Sequence, residues 1–156
     1  MKLIPGQGPV HMVSIIPTGI GAAGYTLSLP NGEQLFETRS HMLGQIKVAL
    51  GGRIAEELVF GEPTTGAAQD IKEATALARA MVETYGMSAE VGTVHCGGAE
   101  DEVFLGRDFG HTKPYSEATA SLIDSEVKRI TDECYREARE IMVLHRDSLE
   151  TCAARL

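Results

Sequence analysis

Leu43-Gly44-Gln45-Ile46-Lys47-Val48-Ala49-Leu50-Gly51-Gly52-Arg53-Ile54-Ala55-Glu56-Glu57-Leu58-Val59-Phe60-Gly61 is the stretch that decides the fold class. Leu43, Ile46, Leu50, Ile54 and Leu58 recur three or four residues apart, the period of one helix face. Gly51-Gly52 falls inside that stripe. Each glycine costs about 0.5–1 kcal/mol relative to alanine in a helix, so a close approach by another group is the expected reason for them. Gly61 and Pro63 end the helix. Glu56 and Glu57 are neighbours and so point about 100° apart, with Glu56 flanking the apolar stripe.

Downstream, Thr64-Thr65-Gly66 offers capping groups for a second helix, with Ile71, Ala74, Ala78, Met81 and Tyr85 as its buried stripe and Gly86 as its stop. Asp70 falls in the first turn of that helix. An aspartate there ordinarily serves the helix dipole or a cap, worth about 0.3–1 kcal/mol, and metal ligation is the second reading. Residues 87–114, with glycines at 92, 97, 98, 106 and 110, read as a long loop or weak strand around Val103-Phe104-Leu105. From Tyr115 onward Ile123, Val127, Ile130, Cys134, Ala138, Ile141, His145, Leu149, Cys152 and Leu156 form a helical stripe. A break is expected near Asp147-Ser148-Leu149-Glu150, which has the form of a capping box.

Upstream, residues 1–36 read as a β-hairpin region. Val13-Ser14-Ile15-Ile16-Pro17 is one short strand, and Tyr25-Thr26-Leu27-Ser28-Leu29-Pro30 alternates as a half-buried second. Gly19-Ile20-Gly21-Ala22-Ala23-Gly24 has the spacing of a dinucleotide fingerprint, but a strand rather than a helix follows it, so it reads as the hairpin loop. Asn31-Gly32 marks the next turn. The expected fold is mainly α with a small N-terminal β-sheet. One domain covers 1–156: the hairpin region, two helices over 38–86, the loop, and a helical segment over 115–156.

Composition narrows the function classes. The 156 residues carry 14 Lys+Arg against 22 Asp+Glu, a formal charge of −8, which argues against a nucleic-acid partner. No apolar run approaches the roughly 18 residues of a membrane span. Cys96, Cys134 and Cys152 are odd in number and form no CxxC pair, which points to a reducing compartment and a soluble chain. Of His11, His41, His95, His111 and His145 no two stand at i, i+4, and there is no HExxH. His145, on the last apolar stripe, reads as a packed helix residue. Glu100-Asp101-Glu102 reads as a solvated loop.

Taken in order, several segments closely resemble the peptidase domain of the FtsH family, ATP-dependent zinc metalloproteases of peptidase family M41. These are Leu50-Gly51-Gly52-Arg53-Ile54-Ala55-Glu56-Glu57-Leu58-Val59-Phe60-Gly61, Thr64-Thr65-Gly66-Ala67-Ala68-Gln69-Asp70-Ile71-Lys72-Glu73-Ala74-Thr75, Tyr85-Gly86-Met87-Ser88 and Val103-Phe104-Leu105-Gly106-Arg107. The resemblance runs from about Pro9 to the end.

It implies a helical peptidase domain beside an AAA+ ATPase module, in a membrane-anchored homo-oligomer (a hexameric ring) facing the cytoplasm. The substrates implied are unfolded or membrane proteins. In the family, zinc is held by both histidines of an HExxH helix and by an aspartate that matches Asp70. Zinc in a peptidase takes three protein ligands and leaves one position for water. The resemblance also brings Glu56 near the metal, where it would orient a ligand histidine, and puts the strand region beside the substrate cleft, where an edge accepts an extended peptide.

The HExxH helix of the family lies just before the segment that resembles Lys2-Leu3-Ile4-Pro5-Gly6. The expectation is therefore a domain truncated at its N-terminus, with no catalytic residue in this sequence, zinc not stably bound, and ATP used only through an absent module. The competing expectation is a non-catalytic peptidase-like unit that serves oligomerisation or interaction.

Overall fold

The computed structural model describes residues 2–16, 25–28, 36–97 and 115–156. Gly19–Gly24, Asn31-Gly32, Glu100-Asp101-Glu102, Val103-Phe104-Leu105 and His111 lie outside the described residues. The architecture is mostly helical with a two-stranded antiparallel sheet: β1 Val10–Ser14, β2 Tyr25–Ser28, α1 Arg39–Ala49, α2 Gly51–Phe60, a 3-10 turn Thr65–Ala67, α3 Ala68–Glu83, α4 Glu117–Leu144 and α5 Arg146–Ala153.

The core is made where α1, α3 and α4 pack on one another and α2 packs on α4. Met42, Ile46 and Ile54 from the first two helices meet Met81 and Val82 of α3 and Ile123, Ile130 and Cys134 of α4, all within 2% of full burial. Burial raises the Cys134 thiol to a pKa of about 11, and its Sγ–H points at the Leu43 carbonyl, 3.7 Å away. Lys47 pairs with Glu137 at 2.5 Å, and the Tyr135 hydroxyl donates to Glu57, tying α1 and α2 to α4.

Several expectations are corrected in detail. The single helix expected from Thr38 to Phe60 is divided at Leu50, although Leu50 keeps a right-handed helical backbone (φ −70°, ψ −10°) and the hydrogen bonds Leu50 N–H to Ile46 and Ile54 N–H to Leu50 run through it. Two glycines following Leu50 loosen the ladder without ending the αR path. Gly61 does cap α2, in the left-handed region at φ 79°.

Ile71 on α3 and Tyr85, two residues past its end, are exposed, and Val82 takes a buried place beside Ala74, Ala78 and Met81. On α4 the stripe is fully buried as far as Ala138; beyond it Met142 is partly buried against the core, and Val143 and Leu144 are exposed. The break after α4 comes at His145 (φ −112°), earlier than the expected capping box. Asp147 caps nothing, and Glu150 instead accepts from Arg146 Nε at 2.9 Å.

The first strand runs from Val10 to Ser14, ahead of the expected 13–17. Met12, Val13 and Ser14 pair with Leu27, Thr26 and Tyr25, with an irregularity between Val10 and Met12. Leu27, on the face expected to be half-buried, is 42% exposed, close to Val10, Met12 and Val13 of β1 at 41%, 41% and 42%. Among the described residues no helix is long and apolar enough to cross a membrane.

Candidate functional site

The start of α3 lies against α2. Thr64 opens the 3-10 turn with extended backbone, and its hydroxyl accepts from Gly66 N–H at 3.1 Å. Glu56 on α2 takes hold of the same threonine. Its Oε2 accepts from the Thr64 N–H at 3.0 Å, and its Oε1 accepts from the Thr64 hydroxyl at 2.7 Å. These two bonds, the hydroxyl first, hold the Glu56 carboxyl below its ordinary value, helped by the Arg53 guanidinium.

Asp70 stands three positions beyond Ala67, the residue that occupies the N-cap of α3 and makes no side-chain cap bond. Its carboxylate makes no hydrogen bond and no ion pair among the described residues, so the capping reading does not describe it. Partial burial raises its pKa, and the charges of Glu73 and Glu56 raise it further. A Cβ added at Gly52 would stand 3.1 Å from Asp70 Oδ2. The close approach expected at the glycine pair is therefore Asp70 over Gly52, while Gly51 has nothing within 4 Å of such a Cβ.

An unpaired, partly desolvated carboxylate beside two others suits one arm of a cation site. It suits no more than one arm here. Among the described residues, no three His, Cys, Asp or Glu side chains converge as a metal site. Each Glu56 oxygen accepts one hydrogen bond from Thr64, which leaves a further lone pair on each. His41 is bound elsewhere, its Nδ1 3.0 Å from the Gly6 carbonyl, beside a cavity of about 400 Å³ lined by Pro5, Gly6, Phe36, Thr38, Ser40 and His41. His145 sits at the joint between α4 and α5.

Two features escaped sequence reasoning. Thr64 was legible as a cap, but not as the partner of Glu56, because nothing local links positions eight apart across a turn. Glu126 is 4% exposed, with its Oε1 and Oε2 accepting from Arg129 at 2.8 and 3.1 Å and its Oε2 from the Ser88 hydroxyl at 2.7 Å. Its spacing from Ile123 and Ile130 put it on the apolar face, and that was the available signal.

The family model for peptidase family M41 matches residues 1–156. Similar proteins are named "ATP-dependent zinc metalloprotease FtsH". The one from Thermotoga maritima is 47% identical over 148 residues, 95% of this chain and 24% of its own length. Those from Pseudothermotoga lettingae and Myxococcus xanthus are each 48% identical, over 96% and 95% of this chain and 24% and 23% of their own lengths. The chain belongs to peptidase family M41. It spans about a quarter of the length of the curated relatives it matches.

Proposed function

We propose that this chain is part of the zinc-peptidase unit of an ATP-dependent protease, with Asp70 supplying one carboxylate ligand. The supporting observation is the pairing of family membership with a partly buried carboxylate that has no hydrogen-bond or ion-pair partner among the described residues. Zinc bound there would activate a water for attack on a peptide bond. The chain's own contribution is to hold the Asp70 oxygens in place and keep them free of internal donors. Unfolded or membrane proteins are the substrates of this reading. The working assembly is a membrane-anchored homo-oligomer, a hexameric ring with this domain on the cytoplasmic side and ATP hydrolysed by a separate module.

These 156 residues contain no HExxH, so by themselves they hydrolyse nothing. The purified chain, incubated with an unfolded protein and zinc, should give no chelator-sensitive cleavage, and robust cleavage would overturn that statement. The ligand role is tested by grafting the chain in place of the matching residues of the Thermotoga maritima relative. The graft should retain zinc and degrade casein, and Asp70→Asn in it should lose both. Full zinc content in the Asn variant refutes the role.

A second reading, a non-catalytic peptidase-like unit acting in assembly, is favoured by Phe36, Phe60 and Leu144, which are 86%, 70% and 80% exposed. Light scattering discriminates, because a monomer at micromolar concentration counts against it.

A further inference from the structure

Gly52 and Glu56 stand one helical turn apart on α2, and both meet the start of α3. The first turn of α3 has no side-chain cap of its own, since Ala67 occupies that position and contributes only its burial. What locates the turn by polar contact is a relay. Glu56 receives the N–H and hydroxyl of Thr64, and the Thr64 hydroxyl receives the N–H of Gly66. Gly66 lies so close that a Cβ there would be 3.1 Å from Glu56 Oε1 and 3.2 Å from Thr64 Oγ1. Four residues later, Asp70 Oδ2 rests over Gly52, where a side chain would press on it at 3.1 Å.

We infer that Gly52 and Glu56 form a seat that aims the Asp70 carboxylate, with Glu56 acting through Thr64 as a positioning residue rather than as a ligand or base. The purpose assigned to the seat rests on the ligand reading of Asp70. Its existence does not. A single hydroxyl joins Glu56 to the turn that leads into α3, because Thr64 both donates to Glu56 and accepts from Gly66. Valine at 64 keeps the shape and the net charge but removes that coupling. Alanine at 52 acts on the other half, displacing the carboxylate while favouring the helix that carries it.

The test is NMR on the 156-residue chain, reading amide exchange at Thr64 and Gly66 and the side-chain carboxyl signal of Asp70. Thr64→Val should speed exchange at Gly66 about fivefold to tenfold, as loss of a cap does, and shift the Asp70 carboxyl signal. Exchange at Met81 and Val82 should be unchanged, and Thr64→Ser should restore both readouts. Gly52→Ala should leave the Gly66 exchange as it was, shift the Asp70 carboxyl signal and cause no loss of melting temperature. An Asp70 signal unmoved by both Thr64→Val and Gly52→Ala overturns the seat.

Manganese(II) alone, added to the unaltered chain, separates the two ideas. Broadening centred on Asp70 that Gly52→Ala weakens supports both. Full zinc content in the Asp70→Asn graft overturns the ligand reading, and the seat is then judged on the exchange and carboxyl shifts.

Discussion

The two ends of α3 handle their carboxylates in opposite ways. At the C-terminal end, Gly86 turns the chain at φ 58° and Met87 N–H reaches the Met81 carbonyl at 2.8 Å. The loop then lays Ser88 against Glu126, a buried carboxylate that also holds Arg129, while Arg39 Nε reaches the Met87 carbonyl at 3.2 Å. At the N-terminal end Asp70, near Glu56 and Glu73, has no hydrogen-bond or ion-pair partner among the described residues. A carboxylate that serves the fold is surrounded by donors, because burial without them costs more than it returns. One that lacks donors is a cost to the fold, and it marks a position kept for something other than stability.

Substitutions test that contrast directly. Met81→Ala, in the fully buried middle of α3, should weaken both ends together and lower the unfolding free energy by about 2–5 kcal/mol in a denaturant titration. Glu126→Gln breaks only the satisfied end. It removes the charge and replaces one of the two accepting oxygens by an N–H2 donor, so that part of the Arg129 and Ser88 set faces a donor, and it should cost about 1–3 kcal/mol at pH 7 by the same measurement.

The acid dependence of that second loss follows from its cause. Hydrogen bonds from Arg129, then from Ser88, hold the Glu126 carboxyl below its ordinary value of 4.5. Its contribution is therefore complete above that value and disappears as pH falls through the lowered native value. Thermal scans of the unaltered chain and the Gln variant should converge as the pH drops below 4.5. Convergence on the alkaline side would mean that the carboxylate is not the source.

The smallest effect has the opposite sign. Asp70 is raised by burial and then by Glu73 and Glu56, so its ionised form disfavours the fold. The penalty grows as pH rises from the ordinary 3.8 through the raised native value and is complete at neutrality. Asp70→Asn should therefore leave the chain at pH 7 unchanged or more stable, by about 0.5 kcal/mol or less. A clear loss of melting temperature would show that Asp70 has a stabilising partner after all and would dissolve the contrast.

Much of the helical part was legible because it obeys one period. Ile46, Leu50 and Ile54 are buried where their spacing put them, as are Ala74, Ala78 and Met81 on α3 and Ile123 to Ala138 on α4. The failures lie at the ends of the stripes. Ile71, in the first turn of α3, and Tyr85, two residues past its end, are exposed, and the α4 stripe is fully buried only as far as Ala138. The second strand was placed by alternation and the first by its short apolar run, but pairing with β2 begins at Val10, so the register corrected the boundary.

For the candidate site, the residue types and their order were enough to single out Asp70 and Glu56 through family resemblance, and the glycine pair through its helix cost. By itself the sequence determined a mainly helical unit, an acidic surface, and a requirement for some close approach at Gly51-Gly52. Only the tertiary structure decided which group makes that approach, that it concerns Gly52 alone, and that Glu56 grips Thr64. The physical reason is range. Periodicity and capping act within a few residues, whereas the state of a carboxylate is set by the donors that another element brings within about 3 Å.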